Sequence, residues 1–440
     1  MNSETLTKWA RRVRSSRLAK NTLFMSAGSS IRLILQAVYF LLIARALGPA
    51  QYGAFVGTVA LIGIGTSFAG FGFGGILVKH TSRDAGRFSG CWGNALFMTV
   101  AGGVCLLLLL SLAARYILGS QIPFQLVLLV ALADLFFSPT VALAGQAFMA
   151  FEKLHGTAGS LVVLSALRTL GAIVLAVFVH HPSAVSWAMF YLLSSAVAAI
   201  YAIASVSLQL GSPKLALRDI KPDLSEGFFF AIGASSQTVY NDIDKTMLVR
   251  LSELSAAGIY GSAYRLVDVT FQPVSAVLTS TFAKFFKAGE AGIFGSLSVA
   301  RRLIPYVAVY GAAAAFVMFI FSPVLPLFLG HSFVDSIDAL RWLSALALIR
   351  PVHYVAANAL TGAGFQGLRA LCQIVVAGVN VALNFWLIPA FSWRGAAWAS
   401  IASDGLLAVA LWGLALSLLH HGKNRSNLTA KSTVGETLGI

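Results

Sequence analysis

Charge is scarce in this chain. Of its 440 residues, 11% are Asp, Glu, Lys or Arg, where a water-soluble domain carries about 25%. Hydrophobic residues make up 58%. A surface so poor in polar groups cannot face water, so a set of soluble domains, the ordinary reading of this length, is excluded and the solvent is lipid. Acidic residues are the scarcest, 16 against 31 basic ones, for a net charge of +15. In a soluble protein that excess would point to nucleic acid. Here the bases punctuate apolar runs, so they address anionic phospholipids and set membrane orientation instead. Cysteine is also sparse: Cys91, Cys105 and Cys372 lie in or beside apolar runs without metal-ligand spacing, and read as packing residues. A phosphate-binding Gly-x-x-x-x-Gly-Lys loop is missing, and no cofactor is implied. The glycine-rich run from Gly70 to Gly75 sits inside an apolar stretch with no acidic residue after it, so it reads as close helix packing.

What the chain has in abundance is span-length apolar sequence. About 20 apolar residues cross a bilayer. Runs bounded by charge, Gly or Pro give twelve spans: 22–43, 54–77, 92–114, 124–147, 157–179, 185–208, 226–249, 256–279, 303–325, 339–360, 371–391 and 395–418. No connector is long enough to fold as a domain outside the membrane. The basic segment from Lys8 to Lys20 precedes a span-length run without a small-residue cleavage site, so a removable signal peptide is not expected. Lys and Arg fall unevenly: twenty-one on the side of both tails, and four (Arg45, Arg115, Arg250, Arg394) on the other. The positive-inside rule then puts both termini in the cytoplasm, and the sequons at Asn424 and Asn427 become chance matches.

The chain also repeats itself. Ala-Arg-Ala-Leu-Gly-Pro-Ala-Gln-Tyr-Gly (44–53) joins spans 1 and 2, and Val-Arg-Leu-Ser-Glu-Leu-Ser-Ala-Ala-Gly-Ile-Tyr-Gly (249–261) joins spans 7 and 8. Matching their Tyr-Gly pairs places the copies six spans apart. An even number preserves the direction of crossing, so the repeat is parallel. The expectation is an all-α polytopic membrane protein of about twelve transmembrane helices, in two six-helix pseudo-symmetric lobes around a central cleft. Its parts are a basic tail 1–21, an N-lobe 22–208, a cytoplasmic linker 209–225, a C-lobe 226–418 and a second cytoplasmic tail 419–440.

Three segments carry a resemblance to a known family. They are Ala-Arg-Ala-Leu-Gly-Pro-Ala-Gln-Tyr-Gly-Ala-Phe (44–55), Ala-Ala-Gly-Ile-Tyr-Gly-Ser-Ala-Tyr-Arg-Leu (256–266), and Asn-Val-Ala-Leu-Asn-Phe-Trp-Leu-Ile-Pro (380–389) followed by Gly-Ala-Ala-Trp-Ala-Ser (395–400). In this order the chain resembles the polysaccharide-transport, Wzx-type flippases of the MATE-like multidrug/oligosaccharidyl-lipid/polysaccharide superfamily. The resemblance implies a multi-pass protein of the bacterial inner membrane. It would move undecaprenyl-pyrophosphate-linked glycan from the cytoplasmic to the periplasmic leaflet for O-antigen, lipopolysaccharide or exopolysaccharide assembly, with a polysaccharide polymerase and chain-length machinery as partners.

Ionisable residues inside spans are costly and face a cavity or a partner. Arg32, Arg168, Arg265 and Arg350 fall near span centres. Gln36 shares a helix face with Arg32, Tyr354 and Asn358 share one with Arg350, and Asn380 and Asn384 form a stripe in span 11. One reading is a cationic cleft around pyrophosphate, made by Arg32, Gln36, Arg168, Arg265, Arg350 and Asn380, because guanidinium binds phosphate bidentately and keeps its charge. The other is internal pairing: Asp134 with Arg168, Asp404 with Arg350, Asp268 with Arg265. Arg32 lacks an obvious acidic partner in its own lobe's spans beyond Asp134. Asp242 and Asp244 spell the Asp-x-Asp of metal-diphosphate enzymes, but Lys245 beside them makes an ordinary Asp–Lys pair the simpler account, and no metal site is expected.

Three function classes follow. A lipid-linked oligosaccharide flippase fits the excess of span arginine over span carboxylate. A MATE-type drug or cation antiporter shares the fold but wants a cleft dominated by Asp and Glu. A polytopic glycosyltransferase or polymerase wants a large outer loop, and these outer loops are short, so an enzyme is not expected.

Overall fold

The computed structural model describes the backbone of residues 17–217 and 220–437, and side chains between 27 and 420 apart from Ser67, Glu226, Phe229, Phe230, 232–241 and Ala283. Most of the basic N-terminal tail, Arg218, the side chain of Asn241 and those of Asn424 and Asn427 lie outside the described residues. Helices follow one another as α1 Arg17–Ala69, α2 Phe73–Arg83, α3 Phe88–Leu118, α4 Phe124–Leu132, α5 Ser138–Ala150, α6 Leu154–Phe178, α7 Ala184–Gln209, α8 Ile220–Leu251, α9 Leu254–Gly289, α10 Gly292–Phe321, α11 Leu325–Leu329, α12 Ser336–Gly362 and α13 Gln366–Thr437. Among the described residues there is no strand. Among the described residues, eight stretches are long and apolar enough to cross a membrane. The chain is thus an all-α, multi-pass membrane protein.

Two of the long helices are each two spans folded at a break. In α1 the break is Gly48, at φ 69°, followed by Pro49; a left-handed residue suits glycine, and proline withdraws a backbone donor. In α13 it is Ser392, at φ 53°. With α4 and α5 joined through a π-helical turn at Ala133–Phe137, twelve span-length segments result among the described residues, in register with the twelve apolar runs.

The second span departs from its expected form. The run 54–77 is not one helix: it stops at Ala69, turns through Phe71 (φ 43°) and Gly72 (φ 70°), and resumes as α2. The glycines there do pack closely, since a Cβ on Gly74 would lie 1.7 Å from Gln146 Oε1. They also release the helix, because residues without a Cβ hold the chain weakly in α geometry. The break lines a cavity of about 390 Å³ bounded by Thr66, Gly70, Gly72, Thr99 and Gln146.

Two compact units emerge, residues 1–258 with 328–332, and 259–327 with 333–440. Helix α8, which opens the second sequence repeat, groups with the first unit. It packs closely on α1, where a Cβ on Gly57 would come 2.2 Å from Val249 Cγ2. At the start of α9, a Cβ on Gly53 would come 1.8 Å from the Leu254 carbonyl oxygen, and one on Gly258 would come 2.0 Å from that of Pro49. The contact is reciprocal, so each glycine lets the other helix's backbone approach. Backbone-to-backbone approach of this kind admits only glycine, as in membrane helix pairs generally. Elsewhere in the first unit Phe88 stacks on Trp92 and meets Phe151 edge-on, building a dense aromatic core. Leu108, Leu109, Leu112, Leu193 and Ile200 stay exposed. An apolar exterior of this sort matches hydrocarbon.

Candidate functional site: a charge cluster in each unit

In the first unit the π-helical turn carries Asp134 into the protein, and α6 and α7 bring Arg168 and Tyr191 to it. Inserted π turns re-aim side chains and recur at functional positions. Arg168 lies 3.5 Å from Asp134 Oδ1 and donates to the hydroxyls of Ser138 (2.9 Å) and Ser195 (3.1 Å). Tyr191 donates its hydroxyl to Asp134 Oδ1 at 2.9 Å, while its ring lies 3.9 Å beneath the guanidinium carbon of Arg168. Ser138 donates to the same carboxylate. The charge of each ion is balanced, as a buried pair in a low-dielectric interior requires.

Arg32 is different. It sits partly buried on α1, three residues before Leu35, whose carbonyl accepts from Thr169 of α6. Its Nε is buried with no hydrogen-bond partner, and no ion pair to it is found among the described residues. Gln36, one turn on, is partly buried and partnered.

In the second unit α12 carries Arg350, 4% exposed. Its Nε donates to Asp404 Oδ2 of α13 and its Nη1 to Asp268 Oδ1 of α9, both at 3.4 Å; Nη2 donates to the Tyr264 hydroxyl. The pairing of Asp404 with Arg350 follows from the sequence, whereas the reach of Asp268 to Arg350 does not: spacing alone pointed to Arg265, which is partly buried and engaged in contacts of its own. His353, one turn beyond Arg350, places Nε2 3.6 Å from Asp404 Oδ1. Sequence reasoning passed over this residue, and its spacing of three from Arg350 was the available signal.

The remaining candidates meet neighbouring side chains and backbone. Asn380 is buried and donates to the Ser403 hydroxyl, while Asn384 donates to Asn380 Oδ1 at 2.9 Å, so the stripe ties the two halves of α13 together. Lys245 pairs with Asp242 one turn away, and Asp244 accepts from the Lys245 backbone N–H. That is the Asp–Lys arrangement expected from spacing.

The comparisons with known proteins give a family and, separately, a fold. A family model described as "Polysaccharide biosynthesis protein" matches residues 18–286. No curated protein matches the chain in sequence. Among solved structures, the inward-facing form of a multidrug resistance MATE family transporter of the MOP superfamily superposes with a TM-score of 0.75 at 15% identity, covering 90% of this chain and 98% of that one. The outward-facing form of such a transporter gives 0.61 at 16% identity, covering 94% and 98%. A MOP superfamily transporter from Pyrococcus furiosus, described as having a binding pocket of reverse polarity that suggests a different function, gives 0.61 at 16% identity, covering 90% and 95%. With more than half of its length matched, the chain belongs to the polysaccharide biosynthesis protein family, built on the fold of the MATE transporters.

Proposed function

We propose that this chain is a transporter rather than an enzyme, and that it carries polyprenyl-pyrophosphate-linked oligosaccharide from the cytoplasmic to the periplasmic leaflet of a bacterial inner membrane, with both termini in the cytoplasm. The observation that carries the reading is the contrast among the arginines. Arg168 and Arg350 face carboxylates, whereas among the described residues none faces Arg32, whose Nε is buried without a hydrogen bond. A guanidinium kept in the membrane interior without an anion is costly. An arriving diphosphate supplies that anion in the bidentate geometry the guanidinium fork prefers. Family membership supports a role in polysaccharide assembly, and the Pyrococcus furiosus neighbour, described as having a binding pocket of reverse polarity, supports a function on this fold other than drug export. Against a drug or cation antiporter, two of the buried span carboxylates, Asp134 and Asp404, each face an arginine. Undecaprenyl-pyrophosphate-linked glycan is the cargo in this reading, anionic phospholipids line the basic side, and a polymerase with its chain-length machinery takes the product.

Arg32→Ala should abolish export of surface polysaccharide while the protein remains in the membrane at native level, and Arg32→Lys should retain part of it. Normal export by a normally expressed alanine variant removes Arg32 from the mechanism and the reading with it.

A further inference from the structure

The turn between α3 and α4 encloses an open groove of about 590 Å³, bordered by Leu112, Arg115, Tyr116, Gly119 and Phe124. Its wall is mostly apolar. Leu112 and Leu108, one turn apart on α3, are exposed and continue that surface along the helix. Arg115 stands exposed at the rim. A second guanidinium arrives from α8, for a Cβ on Gly119 would lie 3.5 Å from Arg250 Nη1. By sequence, Arg115 and Arg250 are two of the four bases on the side opposite both tails. Half of that side's positive charge meets at one groove.

Among the described residues no acid answers either arginine. Arg394, on the same side, pairs with Asp338 at 3.9 Å, but no ion pair to Arg115 or Arg250 is found. Glu253, three residues after Arg250, accepts instead from the Ser255 hydroxyl. Each arginine lies in the last turn of its helix, where a cation meets the negative end of the helix dipole. That accounts for either one alone, not for their convergence on an apolar groove. Helix α4 also starts in this turn, without a side-chain cap, and adds the positive end of its own dipole.

We propose that this groove binds the diphosphate end of a polyprenyl lipid, with Arg115 and Arg250 on the diphosphate and the chain lying along Leu112 and Leu108. Guanidinium takes phosphate in a bidentate fork. Two of them match the multiple charge of a diphosphate, where the single phosphodiester of a phospholipid needs only one. The isoprenoid chain covers leucines that already suit hydrocarbon. In the proposed topology the groove lies on the periplasmic side, apart from Arg32. A cargo that has crossed must leave the arginine that received it, and two unanswered guanidiniums on the far side give its headgroup a place to go. The site rests on the cargo reading above, because it is the diphosphate that selects it.

The test uses the full chain carrying Arg32→Ala, purified in detergent, so that the arginine of the transport reading cannot hold the probe. Undecaprenyl diphosphate without sugar is titrated in, and the lipid-bound fraction is read by native mass spectrometry. The adduct should form, and Arg115→Gln or Arg250→Gln should each weaken it by about tenfold. Arg115→Lys should weaken it less than Arg115→Gln. Phosphatidylglycerol, or inorganic diphosphate without a chain, should compete at least about tenfold less well than the lipid diphosphate. If the double glutamine variant does not accumulate, the single ones serve. No adduct, an adduct indifferent to both glutamine variants, or phosphatidylglycerol bound as tightly as the diphosphate overturns the proposal. Loss of the adduct while export still depends on Arg32 removes the groove and keeps the transport reading. An adduct that needs Arg115 and Arg250, beside normal export by Arg32→Ala, keeps the groove and removes Arg32.

Discussion

Replacing Asp134 by asparagine removes a charge and almost nothing else. The amide oxygen still accepts from Tyr191 and Ser138, which bond the carboxylate in the native protein. What disappears is the countercharge of Arg168 at 3.5 Å, worth about 5 kcal/mol at an effective dielectric of about 20. Arg168 then remains enclosed by Ser138, Ser195 and the Tyr191 ring without an anion. Breaking a buried pair from one side costs about 3–5 kcal/mol, whereas removing both ions together is often nearly neutral. Asp134→Asn should therefore lose about 3–5 kcal/mol, and Asp134→Asn with Arg168→Met should recover most of that loss. Unfolding titrations with SDS in mixed detergent micelles, run as a double-mutant cycle, measure both. Additive losses, or an asparagine variant within about 1 kcal/mol of native, would refute the claim that these ions exist for each other.

Three more expectations are open to measurement. Gly258→Leu should cost more than a Gly→Leu change elsewhere on α9 at equal exposure, because its Cβ would meet the Pro49 carbonyl oxygen at 2.0 Å; overpacking of this kind costs about 1–3 kcal/mol, and equal stability of the two variants would show that the helices part freely. Reporter fusions after residues 181 and 440 should signal outside and inside respectively, and the same compartment at both points ends the proposed topology. Two negative charges moved outward gain roughly 4–5 kcal/mol per 100 mV, so transport in vesicles should respond to an imposed potential without nucleotide; strict dependence on ATP contradicts it.

Composition and hydropathy alone determined the class of solvent, the number of apolar runs and the places where the chain must turn, because lipid permits only helices that satisfy their own backbone. The breaks at Gly48 and Ser392 fall where the apolar runs end. The arginines were also visible, since a charge inside a twenty-residue apolar run cannot be hidden from a reader of the sequence. Tertiary structure decided which of them are spent. Asp134 and Arg168 are 34 positions apart, and only the packing of α6 and α7 around a π-helical turn closes the gap to 3.5 Å. Asp268 reaches past its own helix to Arg350, and His353 joins Asp404 from a position that carries no hydropathy signal. The interruption at Gly72 and the close approach of Gly53 and Gly258 were likewise beyond the linear pattern. The physical reason is common to all of these. Burial in lipid acts on each residue separately and leaves its mark on the sequence, whereas pairing depends on the distance between residues that the chain itself does not place side by side.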